Sequence, residues 1–469
     1  MPSRRDQLFS NQFMMQRVVS AFAFRDADAA RVPFPRAAGT LFIGAMAAVL
    51  ALAAVGIFGV LFPSGKKTWR SDEVLILEKD TGARYVYLDG KLHPVLNYTS
   101  ARLILKSAAP SVVSVSRASL RGTPRGAPLG IAGVPDSLPE PERLRPEPWS
   151  LCSRPVTTDT GSPGTDAVLY IADLPGAAGR QLGDDALLAG HPDGSFYLVW
   201  HDLRFLLREP QMVFSALALT PAQVIPAAPA FVNAIPQGAD IGPIPIAERG
   251  APAGLSGALV GQVVRTRSQS GDSQFYVVLA DGIADITELQ ADLIINDPAT
   301  AAAYPGGAVE PLTRNDLGGA RRSARGLPAV EGQELVPARR PRVVEDGARS
   351  VLCTTFGGVE SPMRLTIGAT LPGPGAGVSA AQPGGAAAPD EVVVPAGDGV
   401  LAEAVSGPDA PAGTFALVTD QGVRYSLASP EALRALGYDT GRAVRMPAAL
   451  VAMLREGPAL DPVLARVPA

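Results

Sequence analysis

The chain has 469 residues, of which 47% are hydrophobic and 18% charged, and its 49 glycines and 44 prolines disfavour coiled coils and long helical bundles. The apolar content is too high for wholesale disorder, and the length suffices for several domains with sizeable cores. A formal net charge of −4 argues against nucleic acid as a partner, because nucleic-acid-binding domains present basic faces. Two cysteines are too few for a zinc ribbon or a disulfide-dense scaffold.

The first recognisable element is an apolar run from Thr40 to Phe62 that contains no charged residue. A helix of this length covers roughly 34 Å, which exceeds the bilayer hydrocarbon thickness of about 30 Å. A buried soluble helix and a cleaved signal peptide are the alternatives. Such long uncharged runs are rare in soluble cores, and 39 residues precede this one, more than a signal peptide carries. The sequence therefore predicts an uncleaved transmembrane helix.

The flanks of this run predict its orientation. Residues 1–39 carry six arginines and three aspartates, whereas the rest of the chain is net acidic. Lys66, Lys67 and Arg70 follow the run and weaken the asymmetry. The positive-inside rule still favours a cytoplasmic amino terminus and a main body on the other side of the membrane.

The amino-terminal arm has apolar residues at helical spacing, at Leu8, Met15, Val19 and Phe22. Arg17 and Arg25 lie nearby, as in an amphipathic juxtamembrane helix. Such a helix could lie on the membrane surface, or it could dock a cytoplasmic partner through Arg17 and Phe22. The sequence leaves both interpretations open.

Cys152 and Cys353 fit an exported body. In an oxidising compartment, two widely separated cysteines in one chain are read as a single disulfide bond. Two unrelated buried thiols are the alternative. A bridge would connect the middle of the chain to its last third and would stabilise the fold by restricting the unfolded chain.

A hairpin–helix pattern occurs four times, which predicts an α+β fold. Each copy has two short strands around a turn, followed by a short helix, and the uneven spacing of the copies excludes a tightly stacked solenoid. The predicted turns are Asp89-Gly90, His201-Asp202, Asp281-Gly282 and Asp420-Gln-Gly422. We interpret these as four small modules set into a larger core that contains both cysteines.

These signals divide the chain into an arm, a span, four modules and their connections. The predicted boundaries are 1–39 for the cytoplasmic arm, 40–62 for the transmembrane helix, 63–121 for module 1, 122–185 for a core segment with a proline-rich connection, 186–222 for module 2, 223–257 for a proline-rich connection, 258–300 for module 3, 301–410 for a core segment with a low-complexity loop at 371–389, 411–440 for module 4 and 441–469 for a carboxy-terminal return segment.

No motif in the sequence indicates catalysis. The nearest match to a nucleotide-phosphate loop, at Gly65-Lys66-Lys67-Thr68, departs from the required glycine spacing, and no G-x-S-x-G serine elbow occurs. The three histidines, His93, His191 and His201, include no metal-binding pair at i, i+4. We interpret His93, beside Pro94, as a packing residue of module 1. We therefore assign no catalytic, cofactor-binding or metal-binding residue.

Several blocks of the sequence resemble EccB, the single-pass membrane component of the type VII (ESX) secretion machinery. The most specific block lies in module 1, and the likeness covers essentially the whole chain in order. The blocks are TGARYVYLDGKLHPVLN at 81–97, SARL at 100–103, GAPLGIAGVPDSLP at 126–139, WSLC at 149–152, LGY at 436–438 and EGPALD at 456–461.

The resemblance implies a location, a shape and a set of partners. EccB-like proteins place an elongated periplasmic body, with four repeat modules around a disulfide-linked core, on the outer side of the inner (plasma) membrane. The implied partners are an EccC-like motor ATPase, an EccD-like polytopic protein, an EccE-like subunit, a mycosin protease, other copies of the chain and the lipid bilayer. No cofactor is implied.

Three functions follow from these observations. The first is a structural subunit that anchors and assembles the periplasmic part of the export machinery. The second is a periplasmic nucleotide hydrolase, since EccB-like proteins are described as ATPases, although the sequence has no phosphate loop. The third is a cell-wall-binding module, because small repeated α+β units often bind polymers.

Overall fold

The computed structural model of the chain describes residues 3–24, 37–61, 67–146, 148–171, 179–253, 255, 257–267, 272–313, 320–329, 331–345, 350–372 and 388–469. Arg25, Phe62 and most of the predicted low-complexity loop lie outside these residues. The α-helices are α1 (Arg4–Phe24), α2 (Ala37–Leu61), α3 (Tyr98–Leu105), α4 (Arg117–Leu120), α5 (Pro210–Leu217), α6 (Pro229–Ala234), α7 (Glu288–Asn296), α8 (Pro430–Ala435) and α9 (Ala448–Ala452).

Short strands alternate with these helices, so the fold is α+β, as predicted. The strands are β1 (Val74–Glu78), β2 (Arg84–Leu88), β3 (Lys91–Pro94), β4 (Ser111–Val115), β5 (Trp149–Thr157), β6 (Pro163–Ile171), β7 (Arg180–Gln181), β8 (Leu187–Gly190), β9 (Phe196–Trp200), β10 (Leu203–Leu206), β11 (Val224–Pro226), β12 (Val263–Arg267), β13 (Ser273–Leu279), β14 (Gly282–Ile286), β15 (Leu312–Thr313), β16 (Leu352–Phe356), β17 (Arg364–Ile367), β18 (Glu391–Val393), β19 (Gly399–Val405), β20 (Thr414–Thr419), β21 (Val423–Ser426), β22 (Val444–Pro447) and β23 (Arg455–Glu456).

Four sheets share one strand order. They contain the orders β3-β2-β1-β4, β10-β9-β8-β11, β14-β13-β12-β15 and β21-β20-β19-β22, and we call them module sheets one to four. In each, three strands form an antiparallel meander, and a helix then leads to a fourth strand. The fourth strand pairs in parallel with the first. The helix therefore serves as the crossover that a parallel connection requires.

The predicted hairpins form, with one displacement. Asp89-Gly90, His201-Asp202 and Asp420-Gln-Gly422 connect their strands as expected. In module sheet three, Gly282 already pairs with Leu279, so Ala280 and Asp281 make the turn. Gly282 has a φ of +151°, and a Cβ there would lie 2.3 Å from the Arg321 carbonyl oxygen. This glycine is needed for the close approach of a later segment rather than for the turn.

The fifth sheet joins distant parts of the chain in the order β18-β6-β5-β16-β17-β7. Cys152 on β5 lies directly opposite Cys353 on β16, and the two form the predicted disulfide bond. Both cysteines are buried. We call this the central sheet.

The module sheets pack in two pairs. Leu103 of α3 lies in one apolar cluster with Leu433 of α8, which joins module sheets one and four. Val213 of α5 lies in another with Leu293 of α7, which joins module sheets two and three. The central sheet contributes to separate clusters with module sheet four and with module sheet two.

In every module sheet, a later segment of the chain lies parallel to the outer edge of the third strand. We call it the return segment of that sheet. The term refers from here on to this edge segment and not to the predicted range 441–469. A backbone N–H of the return segment donates to a carbonyl of the third strand each time. The bonds are Gly126 to Leu92 at 3.0 Å, Gly238 to Arg204 at 2.9 Å, Ser323 to Ile283 at 2.8 Å and Gly457 to Arg424 at 2.8 Å.

In three of the four sheets, the donor in the return segment is a glycine covered by a ring. A Cβ on Gly238 would lie 2.5 Å from the Phe205 ring, and one on Gly457 would lie 2.4 Å from the Tyr425 ring. Gly126 is covered by His93 in the same way. Module sheet three has Ala284 and Ser323 at the matching positions. The one module sheet that lacks the ring on its third strand therefore also lacks the glycine in its return segment.

We predict that Gly238→Ala destabilises the fold by about 1–3 kcal/mol, because the new methyl group must displace the buried Phe205 ring. Denaturant midpoints of the purified chain measure the loss. Gly307→Ala is the control, since a Cβ on Gly307 meets no atom within 4 Å. In a Phe205→Ala background, Gly238→Ala should cost much less, which a double-mutant cycle detects. Equal midpoints for Gly238→Ala and Gly307→Ala would contradict the ring–glycine contact.

Candidate assembly surfaces

The first helix presents apolar side chains to solvent around its whole circumference. Leu8, Met15 and Val19 share a face as predicted, but Phe9 and Phe13 project about 100° and 140° away from Leu8. The predicted single stripe is therefore too narrow, because the sequence interleaves apolar and polar residues on every side. The exposed apolar side chains are Leu8, Phe9, Phe13, Met14, Met15, Val18, Val19 and Phe22. Phe22, a predicted docking residue, is 88% exposed, and Arg17 lies on the same helix.

The second helix, α2 (Ala37–Leu61), overlaps the apolar run from Thr40 to Phe62 that is predicted to span the membrane. Side chains are described for residues 41–54 of α2, and all of them are exposed. They include Leu41, Phe42, Ile43, Met46, Val49, Leu50 and Leu52. No helix within the described residues has the length and apolar content that crossing a membrane requires.

The carboxy-terminal end of the chain folds back onto module sheet one. Arg466 donates to the carbonyl of Ile104 at the end of α3, over 2.8 Å. The Ala469 N–H donates to the Pro128 carbonyl over 3.0 Å, and Pro468 bridges to Leu129. The tail backbone is therefore fixed against the return segment of this sheet.

This fixed tail exposes apolar side chains. Val463 is 72% exposed, and Leu464, Val467 and the neighbouring Leu96 are about half exposed. Ala465 between them is fully buried, so the turn holds its larger apolar side chains outward. We call Leu96, Val463, Leu464 and Val467 the tail patch. Rigidly held, exposed apolar side chains of this kind are typical of protein contact surfaces. No pattern in the sequence predicts this patch.

The three histidines have structural partners. His93 packs on Gly126, and its Nδ1 lies 2.9 Å from the Ala127 carbonyl oxygen, which confirms the packing interpretation. His191 pairs with Asp193 over 2.7 Å. His201 stacks on Trp200 and contacts Asp184 over 2.9 Å. Across the described part of the chain, no three acidic, histidine or cysteine side chains group as metal ligands would.

A buried carboxylate connects the first module to the fourth. Asp398 is 1% exposed and forms ion pairs with Arg143 and Arg145, each with an Nε to carboxylate oxygen distance of 2.7 Å. Both arginines follow module sheet one, and Asp398 directly precedes β19. Ion pairs with two guanidinium groups offset the cost of burying a carboxylate, so this cluster acts as a structural link.

Comparison with known proteins identifies the family. The family model described as "Type VII secretion system ESX-1, transport TM domain B" matches residues 1–469. The chain belongs to the EccB family.

Named EccB proteins align over most of their length. The "ESX-2 secretion system ATPase EccB2" of Mycobacterium tuberculosis is 30% identical over 448 residues, which cover 89% of this chain and 86% of that protein. The "ESX-3 secretion system ATPase EccB3" of Mycolicibacterium smegmatis is 28% identical over 491 residues, with 97% and 89% coverage.

Solved EccB structures share the fold. The chain matches the "EccB3 dimer from the ESX-3 core complex" with a TM-score of 0.61 at 25% identity, over 84% of this chain and 100% of that one. It also matches a chain of the intact ESX-5 inner membrane complex with a TM-score of 0.60 at 23% identity, over 100% of this chain and 96% of that one. The predicted family is thus confirmed for this EccB-family chain.

We predict that the double variant Cys152→Ala/Cys353→Ala loses about 2–4 kcal/mol of stability, because the bridge restricts a long loop of the unfolded chain. A reducing agent should lower the thermal midpoint of the oxidised wild type and leave that of the double variant unchanged. A wild-type midpoint that does not respond to complete reduction, verified by thiol titration, would contradict this role.

Proposed function

We propose that this EccB-family chain is a structural subunit of a type VII secretion complex in the inner membrane, where it anchors and assembles the periplasmic part of the machinery. The match of the family model to the whole chain carries this proposal. Related solved chains belong to an ESX-5 periplasmic assembly and to an ESX-3 core complex, which supports it.

The proposed anchor is the span from Thr40 to Phe62, crossing the plasma membrane once. Support comes from the uncharged sequence of this run and from the exposure of the side chains described along α2. The six arginines of residues 1–39 favour a cytoplasmic amino terminus. The disulfide bond favours an oxidising compartment for the body.

The proposed body consists of four repeats around the central sheet. Support comes from the strand order common to four sheets and from the ring–glycine contact that recurs in three of them. A duplicated unit explains both features at once, because independent hairpins would not share the fourth strand and the return segment as well.

The proposed partners are those that the family resemblance implies: EccC-, EccD- and EccE-like subunits, a mycosin protease and further copies of the chain. The tail patch offers an apolar contact surface on the body, and α1 offers another on the amino-terminal arm. One related protein is described as a dimer, which supports self-association.

We predict that Val463→Asp/Val467→Asp lowers the yield of co-purified subunits by about tenfold, because a contact at the tail patch would bury the new carboxylates without partners. Gentle detergent extraction of a tagged chain, followed by native mass spectrometry, measures this yield. Leu335→Asp is the matched control, since Leu335 is half exposed elsewhere on the body. Full assembly of the double variant would exclude the tail patch as a contact surface.

Nucleotide hydrolysis is the second candidate, because the names of the related proteins include "ATPase". For the structural role, we predict that the purified chain shows no magnesium-dependent phosphate release above a heat-denatured control. Release that follows the folded protein through purification would favour the enzymatic role instead.

A further inference from the structure

The two edges of module sheet one differ in how they are covered. Beside β3, the return segment bridges at Arg125 and Leu129, and the tail adds Pro468 beyond it. The opposite edge is β4, which pairs in parallel with β1 from Ser111 to Val115. The sequence of β4 is SVVSV, with neither a charged residue nor a proline. It thus lacks the features that usually protect an edge strand from pairing with another chain.

The ladder with β1 shows which backbone groups of β4 point outward. The Lys79 N–H donates to the Val115 carbonyl over 2.9 Å, so Val115 faces β1. Because alternate residues of a strand direct their N–H and C=O groups to opposite sides, those of Val112 and Ser114 point away from the sheet. Val112 is 53% exposed. Among the described residues, no backbone hydrogen bond reaches the outward groups of Val112 and Ser114.

The matching strands of two other module sheets are protected. On β11, the N–H of Val224 donates to the Pro221 carbonyl, and Pro226 has no N–H. On β22, the Arg445 carbonyl accepts from the Val359 N–H over 2.9 Å, and Pro447 ends the strand. The open edge of β4 is therefore a departure from the pattern seen in these repeats.

We propose that β4 pairs with β4 of a second copy of this chain, in antiparallel orientation and centred on Val113. This inference rests on the proposed self-association and names its surface. With Val113 at the centre, Val112 of each copy lies opposite Ser114 of the other copy. The outward N–H and C=O groups of both residues therefore gain partners. A register centred on Val112 would place Ser114 opposite Pro110, which has no N–H to donate. A register centred on Ser114 would place Val112 opposite Ser116, whose carbonyl already accepts from the Ser119 N–H. Uncharged edges also bring no like charges together.

The first test blocks the edge. Val112→Pro removes an outward N–H without touching the bonds to β1, which use the alternate residues. We expect self-association of the full chain in detergent to weaken by about tenfold, measured by sedimentation velocity. Val112→Thr keeps the N–H and is the matched control. The thermal midpoint verifies that both variants fold. Unchanged self-association of folded Val112→Pro would overturn the inference while leaving the proposed function intact.

The second test reads the register. Both native cysteines are in the disulfide bond, so a single introduced cysteine reports alone. At the centre of the proposed pair, Val113 meets its own copy across a non-hydrogen-bonded position, where cross-strand bridges form readily. We expect Val113→Cys to form a covalent dimer under mild oxidation. Cross-linking by Val467→Cys but not by Val113→Cys would place the contact at the tail patch and overturn the inference. A wild-type chain that is monomeric at every concentration would overturn self-association itself.

Discussion

The direct pairing of β5 with β16 sets the layout of the whole body. The two cysteines of these strands face each other although they lie 201 positions apart in the sequence, so module sheets two and three form in a segment that must begin and end at the central sheet. Closing so long a loop costs entropy, which the ladder and the disulfide bond offset. Trp149 packs toward module sheet four and Leu352 toward module sheet two, from the same face of the sheet. Module sheets two and four are therefore both held by this one pairing.

Local turn chemistry made the hairpins predictable, and the rest of each module was not. The Asp89-Gly90 pair predicts its hairpin because the turn requires positive φ at both residues, and Asp and Gly tolerate this conformation. The fourth strands have no such signal, because β15 is two residues long and β11 three, and only the parallel partner defines them. The two-strand hairpin pattern also leaves out the first strand of each module, so β19 begins well before the predicted module 4 range of 411–440. Gly282 is a predicted turn residue, but in the structure it allows a later segment to approach β14 closely.

The candidate surfaces were predictable to different degrees. The cysteine pair could be assigned because a chain with two cysteines allows a single intramolecular bridge. The tail patch could not, because Val463 and Val467 look like core residues in the sequence. Their exposure follows from the turn in which Ala465 faces α3 and from the Arg466 bond to Ile104, both of which depend on residues about 360 positions away. On α1, the helical spacing of the apolar residues predicts the face of Leu8, Met15 and Val19 correctly. Phe9 and Phe13 fall outside that spacing, so the apolar surface on the other sides of the helix was not predicted.

The ring–glycine contact holds the return segment in three module sheets, and module sheet three holds its return segment by other bonds. Where His93, Phe205 and Tyr425 cover a glycine, this sheet has Ala284 and Ser323, and the return segment is held by polar bonds instead. Ser323 Oγ donates to Asp281 over 2.7 Å, and the Ala324 N–H donates to the same carboxylate. These bonds hold the pKa of Asp281 below its usual value. Since apolar packing and a charged hydrogen bond secure the same segment, the repeats preserve the position of the return segment rather than any one side chain.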